Sequence, residues 1–181
     1  MKNLLKNRIV KKTIVCLPAL LLALCLSCSD KGDDPDFAKA DTITAFLNSN
    51  SAYSEFAAML KKSGLDNLLS SYVVSTCFVP TNEAVKKYYE EKGRTLSQMT
   101  QESVKDLVSN HVIYKNKFTS IDFPDGLFST ANLHERYLNM TYGVENQSRV
   151  IYVNGARILF MDQEMHNGVI HIIDAVLDPT K

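Results

Sequence analysis

Two apolar segments that lie far apart in the chain constrain its fold most. The later segment, residues 167–177, reads NGVIHIIDAVL and is rich in β-branched residues, which favour a strand. The earlier segment, residues 76–85, reads TCFVPTNEAV, and its extended first half ends at Pro80. Thr81 or Asn82 is expected to accept hydrogen bonds from the exposed amides of a following helix. The earlier segment therefore predicts a strand, a proline stop and a helix start, and the later one predicts a second strand.

The rest of the folded part divides into a helical first half and a stranded second half. Helical periodicity and a glycine cap predict a first helix that ends at Gly64. The apolar face of this helix comprises Tyr53, Phe56, Ala57 and Leu60. The other expected elements are helices at 83–91 and 101–108 and a strand at 72–79. Asn154 and Gly155 separate two apolar runs and predict a two-residue hairpin turn, because both residues tolerate positive φ.

The two apolar segments resemble the signatures of fasciclin domains, T-x-F-x-P-T-N-x-A and N-G-V-I-H-x-I-D-x-V-L. The residues that carry the resemblance are Thr76, Phe78, Pro80, Thr81, Asn82, Asn167, Gly168, His171 and Asp174. The resemblance implies an α+β fold, a wedge of antiparallel β-strands packed with several α-helices. It assigns the signature residues mainly structural roles, with His171 buried, neutral and hydrogen-bonded. It also implies an extracellular adhesion or interaction module without catalytic machinery.

The resemblance also indicates a candidate binding region. Fasciclin domains commonly carry a Tyr-His pair where this chain has Asn110 and His111, so the tyrosine is missing here. In animal members, that pair and nearby acidic-aliphatic tripeptides are linked to integrin adhesion, and residues 105–107 of this chain read KDL. Tyr137 and Tyr142 complete the candidate region, because tyrosine rings offer a stacking platform for sugars.

A basic and then apolar leader opens the sequence. Five basic residues precede an apolar run of about 13 residues, Ile14 to Leu26, which is shorter than the ~20 residues that a membrane-spanning helix needs. The run ends in Cys25-Leu26-Ser27-Cys28, which resembles the lipobox of bacterial lipoproteins, although that pattern favours leucine at Cys25. The sequence predicts a signal peptide at 1–27 and lipidation at Cys28. Plain secretion and a retained leader are the alternatives.

The residues behind Cys28 predict a tether and a location. Residues 28–40 are acidic and too poor in apolar side chains to fold, so we expect them to tether a fasciclin domain at 41–181. An acidic cluster behind a lipidated cysteine resembles the export signal of some Gram-negative surface lipoproteins. The expected location is the outer surface of the bacterial outer membrane, and the periplasmic face is the alternative. Residues 41–43 resemble an O-glycosylation triplet seen in some surface lipoproteins.

Charge and motif content argue against several classes of function. Removal of the leader leaves 15 basic residues against 20 acidic ones, a net charge of −5, so the basic footprint of a nucleic-acid-binding protein is absent. The sequence contains no Gly-x-Ser-x-Gly, no phosphate-binding glycine loop and no zinc-binding helix motif. The four histidines lack metal-ligand spacing, so we expect no metal and no cofactor. Cys77 is expected to be a buried apolar residue.

These observations favour a non-enzymatic protein that binds an extracellular or cell-surface protein or matrix component, with the lipid as its membrane contact. The alternative is a glycan-binding accessory that captures surface polysaccharide. An exposed, coplanar pair of aromatic rings would favour the glycan, and a flat apolar patch would favour the protein partner. The sequence contains no tryptophan, which disfavours the glycan alternative.

Overall fold

The computed structural model describes residues 41–123 and 126–180. The α-helices in these ranges are α1 (Ile43–Ser49), α2 (Ser54–Ser63), α3 (Asp66–Leu69), α4 (Asn82–Lys92) and α5 (Gln101–Ser109). The strands are β1 (Ser75–Pro80), β2 (Val112–Tyr114), β3 (Phe128–Ala131), β4 (Tyr137–Glu145), β5 (Ser148–Val153), β6 (Ala156–Met165) and β7 (Gly168–Ile173). Short 3-10 helices span Ser51–Tyr53, Leu96–Gln98 and Ser120–Asp122. The predicted signal peptide at 1–27 and the tether at 28–40, which includes Cys28, lie outside the described residues.

The strands form a sheet in the order β2-β1-β7-β6-β5-β4-β3. β5 and β6 pair only at Tyr152 with Arg157 and at Val153 with Ala156, directly beside their connecting turn. Over the rest of their length these two strands are not paired with each other. The helices precede most of the strands in the chain, so the predicted α+β class is confirmed.

One strand pair departs from the expected antiparallel arrangement. β1 and β7 run parallel, in register from Ser75 opposite Gly168 to Pro80 opposite Ile173. The other neighbouring pairs in the described sheet are antiparallel. A tight turn forces antiparallel pairing, but most of the described chain separates β1 from β7, so their direction is free of that constraint.

Two hydrophobic cores lie on opposite faces of β1 and β7. Cys77, Val79, Ile170 and Ile172 belong to the core that also contains the buried faces of the helices, here called the helix-side core. Phe78 and Ile173 belong to a second core, which contains apolar side chains of β4, β5 and β6. The side chains of β1 and β7 therefore alternate between the cores, as expected for strands buried on both faces.

Most predicted elements are confirmed, with small differences at their ends. The helices expected at 83–91 and 101–108 are α4 and α5, and α2 ends at Ser63 with the expected glycine cap at Gly64, whose φ of 75° is left-handed. Asn154 and Gly155 form the expected turn with positive φ, 45° and 83°. The strand predicted at 72–79 begins only at Ser75, because β7 begins at Gly168 and supplies no pairing partner for the preceding residues.

Cys77 is a free cysteine and is fully buried in β1, as expected. Its burial raises the pKa of the thiol to about 12. The side chain therefore behaves as a small apolar residue of the helix-side core. In the described ranges, none of the helices combines the length and the apolar character that crossing a membrane requires.

Candidate functional site

The signature residues of β1 and β7 bind neighbouring backbone. The side chain of Asn167 is buried, and its Oδ1 accepts a hydrogen bond from the Ile43 backbone N–H at 2.9 Å. Its Nδ2 donates to the carbonyl oxygens of Leu69 and Ser71 at 2.6 and 2.9 Å. Asn167 thus ties the start of α1 and the end of α3 to the turn before β7.

Thr76 and His171 hold the segment 116–118 against the sheet. The Thr76 hydroxyl donates to the carbonyl of Asn116 at 2.9 Å and accepts from the Phe118 N–H at 2.8 Å. Nε2 of His171 donates to the carbonyl of Phe118 at 2.8 Å, and Nδ1 accepts from the Asp162 N–H at 3.4 Å. His171 is therefore a neutral imidazole with its proton on Nε2, and burial lowers its pKa.

The helix-cap residues of the earlier signature have separate partners. Oγ1 of Thr81 accepts from the Ala84 N–H at 3.2 Å and so caps α4. Oδ1 of Asn82 instead accepts from the Glu55 N–H at 3.0 Å, in the first turn of α2. At the other signature, Oδ1 of Asp174 accepts from the Arg157 N–H at 2.8 Å. Asn82 therefore connects α4 to α2, and Asp174 connects the end of β7 to β6.

The Asn110-His111 pair is buried and binds the backbone of Leu177. Nδ2 of Asn110 donates to the Leu177 carbonyl at 2.7 Å, and the Leu177 N–H donates to Nε2 of His111 at 2.9 Å. Nδ1 of His111 in turn donates to the Leu107 carbonyl at 2.8 Å. Neither side chain is placed to contact a partner, because Asn110 is 3% exposed and His111 is 0% exposed. This half of the candidate binding region is thus corrected to an internal clamp on the C-terminal segment.

Tyr137 and Tyr142 do not share a platform. They lie five positions apart on β4, so their side chains point to opposite faces of the strand. Tyr137 is 71% exposed, whereas the hydroxyl of half-buried Tyr142 donates to the carbonyl of Phe123. The guanidinium carbon of Arg149 lies 3.6 Å from the centre of the Tyr142 ring and covers one of its faces. A sugar therefore finds only Tyr137 freely accessible in this pair.

The KDL tripeptide is not displayed as a linear motif. Leu107 is buried in the helix-side core. Oδ1 of Asp106 accepts from Nδ1 of His134 and from Nη1 of Arg136, both at 2.7 Å. These two residues come from the turn between β3 and β4, which thereby faces α5. Sequence reasoning missed this cluster, because about 30 residues separate Asp106 from its partners and no local pattern links them.

The cluster lies in an open cleft of about 630 Å³. The residues that line the cleft are Thr100, Glu102, Ser103, Lys105, Asp106, His134 and Arg136. Burial raises the pKa of Asp106, but hydrogen bonds from Arg136 and His134 outweigh it, and the pKa is lowered. Asp106 is therefore ionised at neutral pH.

Exposed apolar side chains occur on β6 and on the 3-10 helix Ser120–Asp122. The Ser120 N–H donates to Oδ1 of Asp162 at 2.7 Å, which ties this 3-10 helix to β6. The exposed members of this Ile121–Phe160 surface are Ile121, Leu159, Phe160 and Met161. Ile121 is 90% exposed and Phe160 is 63% exposed. Among residues 41–123 and 126–180, no group of three or more His, Cys, Asp or Glu residues is arranged to hold a metal ion.

Comparison with known proteins agrees with this fold. The family model of the fasciclin domain matches residues 51–179. The chain is 30% identical over 127 residues to the fasciclin-like arabinogalactan protein CTB11 of Cercospora beticola, covering 70% of this chain and 32% of that protein. It is 30% identical over 129 residues to rat stabilin-2, covering 71% of this chain and 8% of stabilin-2. It is also 27% identical over 168 residues to fasciclin-1 of Drosophila melanogaster, covering 90% of this chain and 22% of that protein.

A solved structure shows the same fold. It is a FAS1 domain pair from the insect cell adhesion molecule fasciclin I, with a TM-score of 0.64 and 22% sequence identity, and the match covers 76% of this chain and 50% of that chain. The chain thus spans a third or less of each curated relative that it matches here. Because the family model covers the described helices and strands from α2 to β7, the chain belongs to the fasciclin domain family.

Proposed function

We propose that this protein is a non-enzymatic, lipid-anchored interaction module of the cell surface, which binds a protein or matrix component in adhesion or surface assembly. Membership of the fasciclin domain family carries this proposal. One structural relative is described as a cell adhesion molecule. Adhesion requires an accessible surface and no reaction chemistry, which agrees with signature side chains that bind internal backbone.

The exposed side chains favour a protein over a glycan as the partner. The Ile121–Phe160 surface offers exposed apolar side chains on β6 and on the segment bonded to it, and burial of such groups drives protein association. A polysaccharide site instead needs rings that stack on sugars, and Tyr137 and Tyr142 lie on opposite faces of β4. The described surface therefore supports protein contact better than glycan capture.

The sequence before the domain supports attachment at the outer membrane. Lipidation of Cys28 would anchor the mature chain, and the acidic residues 30–36 would hold the domain away from the bilayer. The same acidic cluster supports export to the outer surface. Protease added to intact cells would digest the domain there but would spare it on the periplasmic face.

A binding comparison tests the proposed function. Mature lipidated protein in detergent micelles would be added to cell-surface preparations, with and without protease treatment, and to purified polysaccharides. We expect binding to the untreated surface, loss of binding after protease treatment, and weaker binding in an Ile121→Ser, Phe160→Ser double variant. The matched control is Tyr137→Ser, which removes an exposed side chain outside the apolar surface. Tight polysaccharide binding that Tyr137→Ser abolishes would replace the proposal with the glycan alternative.

A further inference from the structure

The open cleft beside α5 is organised from within the domain. Oδ1 of buried Asn132 accepts from the backbone N–H groups of His134 and Arg136, at 2.9 and 3.0 Å. Nδ2 of Asn132 donates to Oδ1 of Asn110, the residue that stands where the family resemblance implies a tyrosine. The turn that carries His134 and Arg136 is thus fixed by a buried amide pair, and its position does not depend on surface contacts alone.

Asp106 then sets the two side chains of this turn next to each other. Oδ1 of Asp106 alone accepts the hydrogen bonds from His134 and Arg136. A guanidinium carries five N–H donors, so further donors of Arg136 are available in the cleft. Lys105 adds a second full positive charge to the lining. Glu102 also lines the cleft, in the first turn of α5, where the helix dipole favours an acidic residue.

The lining indicates which ligand chemistry fits. Arginine binds carboxylates through paired N–H donors, and a nearby lysine and the hydroxyl groups of Thr100 and Ser103 add further donors. Among the described residues, no aromatic side chain lines the cleft, so a sugar ring finds no stacking surface in this lining. These features favour the carboxylate of an extended peptide over a uronic acid of a polysaccharide.

We propose that this cleft binds an acidic peptide segment of a partner protein, with Arg136 and Lys105 contacting the carboxylate and Asp106 and Asn132 positioning Arg136. The inference rests on the proposed function, because it names the chemistry of a protein partner. Arg136 is 44% exposed at its side chain and so is accessible to such a segment.

A direct binding measurement tests the cleft. The probe is fluorescein-labelled hexaglutamate, its uncharged match is hexaglutamine, and fluorescence anisotropy reports binding to the mature lipidated protein in non-ionic detergent. We expect hexaglutamate to bind at least tenfold more tightly than hexaglutamine. Arg136→Gln should weaken hexaglutamate binding about tenfold or more, and Lys105→Gln should weaken it severalfold.

The control separates the cleft from general charge attraction. Lys86→Gln makes the same charge change on the exposed face of α4 and should leave the affinity within about twofold. Equal weakening by Lys86→Gln and Arg136→Gln would overturn the proposal, and so would tighter binding of tetragalacturonate than of hexaglutamate. If the melting curve shows that Arg136→Gln does not fold, Lys105→Gln is compared with Lys86→Gln instead.

A second assay separates this proposal from the proposed function. Arg136→Gln would be tested on the same cell-surface preparations. The variant could fail to bind hexaglutamate and still show protease-sensitive binding to the cell-surface preparations. That result would reject the cleft as the contact and would leave the proposed function standing. Loss of both kinds of binding in this variant, with Lys86→Gln unaffected, is the result that we expect.

Discussion

His171 joins two parts of the domain through its ring nitrogens, and the aromatic rings beside it add packing. The Phe78 ring is stacked on the imidazole at 5.5 Å, and the Phe123 ring lies at 5.7 Å. Nε2 binds the carbonyl of Phe118, which has no equivalent donor if the ring is removed. The contribution of this residue is therefore to stability.

We expect His171→Ala to lower the free energy of unfolding by about 1 to 3 kcal/mol, because the part-buried carbonyl of Phe118 loses its donor and a fully buried ring is removed. Chemical denaturation followed by circular dichroism measures the change. His166→Ala is the matched control, since His166 is exposed and its substitution should change stability by no more than about 0.5 kcal/mol. Wild-type stability of His171→Ala would contradict the structural role.

His111 should make stability depend on pH. Burial lowers its pKa to about 4 in the folded protein, against about 6.5 in an unfolded chain. As the pH falls below about 6.5, the unfolded chain takes up a proton and the folded protein does not, so stability declines. The full loss, about 3 kcal/mol, is reached below pH 4.

Urea midpoints between pH 7.5 and pH 4 test this dependence, with His111→Asn as the comparison because its amide does not titrate. The difference in stability between the two proteins should shrink as the pH falls. Other groups, including His171, are common to both proteins and cancel in this difference. If the stabilities of the two proteins change in parallel between pH 7.5 and pH 4, the pKa of His111 does not differ between the folded and unfolded states as described.

At the scale of elements, the parallel pairing of β1 with β7 requires a glycine at its first position. Gly168 has a φ of 148°, and a Cβ there would lie 1.9 Å from the carbonyl oxygen of Ser75. The contact is with backbone, so relief requires displacement of β1 from β7. The helix-side core depends on both strands, since Cys77 and Ile170 belong to it.

We therefore expect Gly168→Ala to destabilise the domain by more than about 3 kcal/mol, or to prevent folding. Gly155→Ala is the matched control, because Gly155 also has positive φ, 83°, but a Cβ there meets nothing within 4 Å. Its cost should be limited to backbone strain, about 1 to 2 kcal/mol. Denaturation curves give both values, and equal values would show that β1 and β7 tolerate separation.

At the scale of the whole molecule, the leader predicted from the sequence should direct attachment of a lipid to Cys28. Cys28→Ala should prevent acylation, because the thiol that receives the lipid is removed. The variant should move from the detergent phase to the aqueous phase in a Triton X-114 separation, and intact mass should show no lipid. Cys25→Leu, which restores the residue that the lipobox favours, should remain lipidated. A Cys28→Ala protein that keeps a lipid mass and its membrane association would show that the assignment is wrong.

Local patterns predicted the class of the fold and most of its elements. Helix periodicity, the cap at Gly64 and the Asn154-Gly155 turn are short-range properties, so the sequence alone located them correctly. The two signature segments indicated the fasciclin family for a similar reason, since each combines a strand with the residues that begin or end it. The family model confirms that inference.

The tertiary structure decided what local patterns do not contain. The parallel direction of β1 against β7 depends on packing between distant segments, and no turn between them sets it. Asn110 and His111 resembled surface residues of a binding motif, but their polar atoms are used to bind the Leu177 backbone inside the domain. Asp106 and Arg136 meet only after the β3–β4 turn folds against α5. The sequence by itself thus determined the elements and the family. The tertiary structure decided which polar side chains form hydrogen bonds inside the domain, and only the remaining ones are available to a partner.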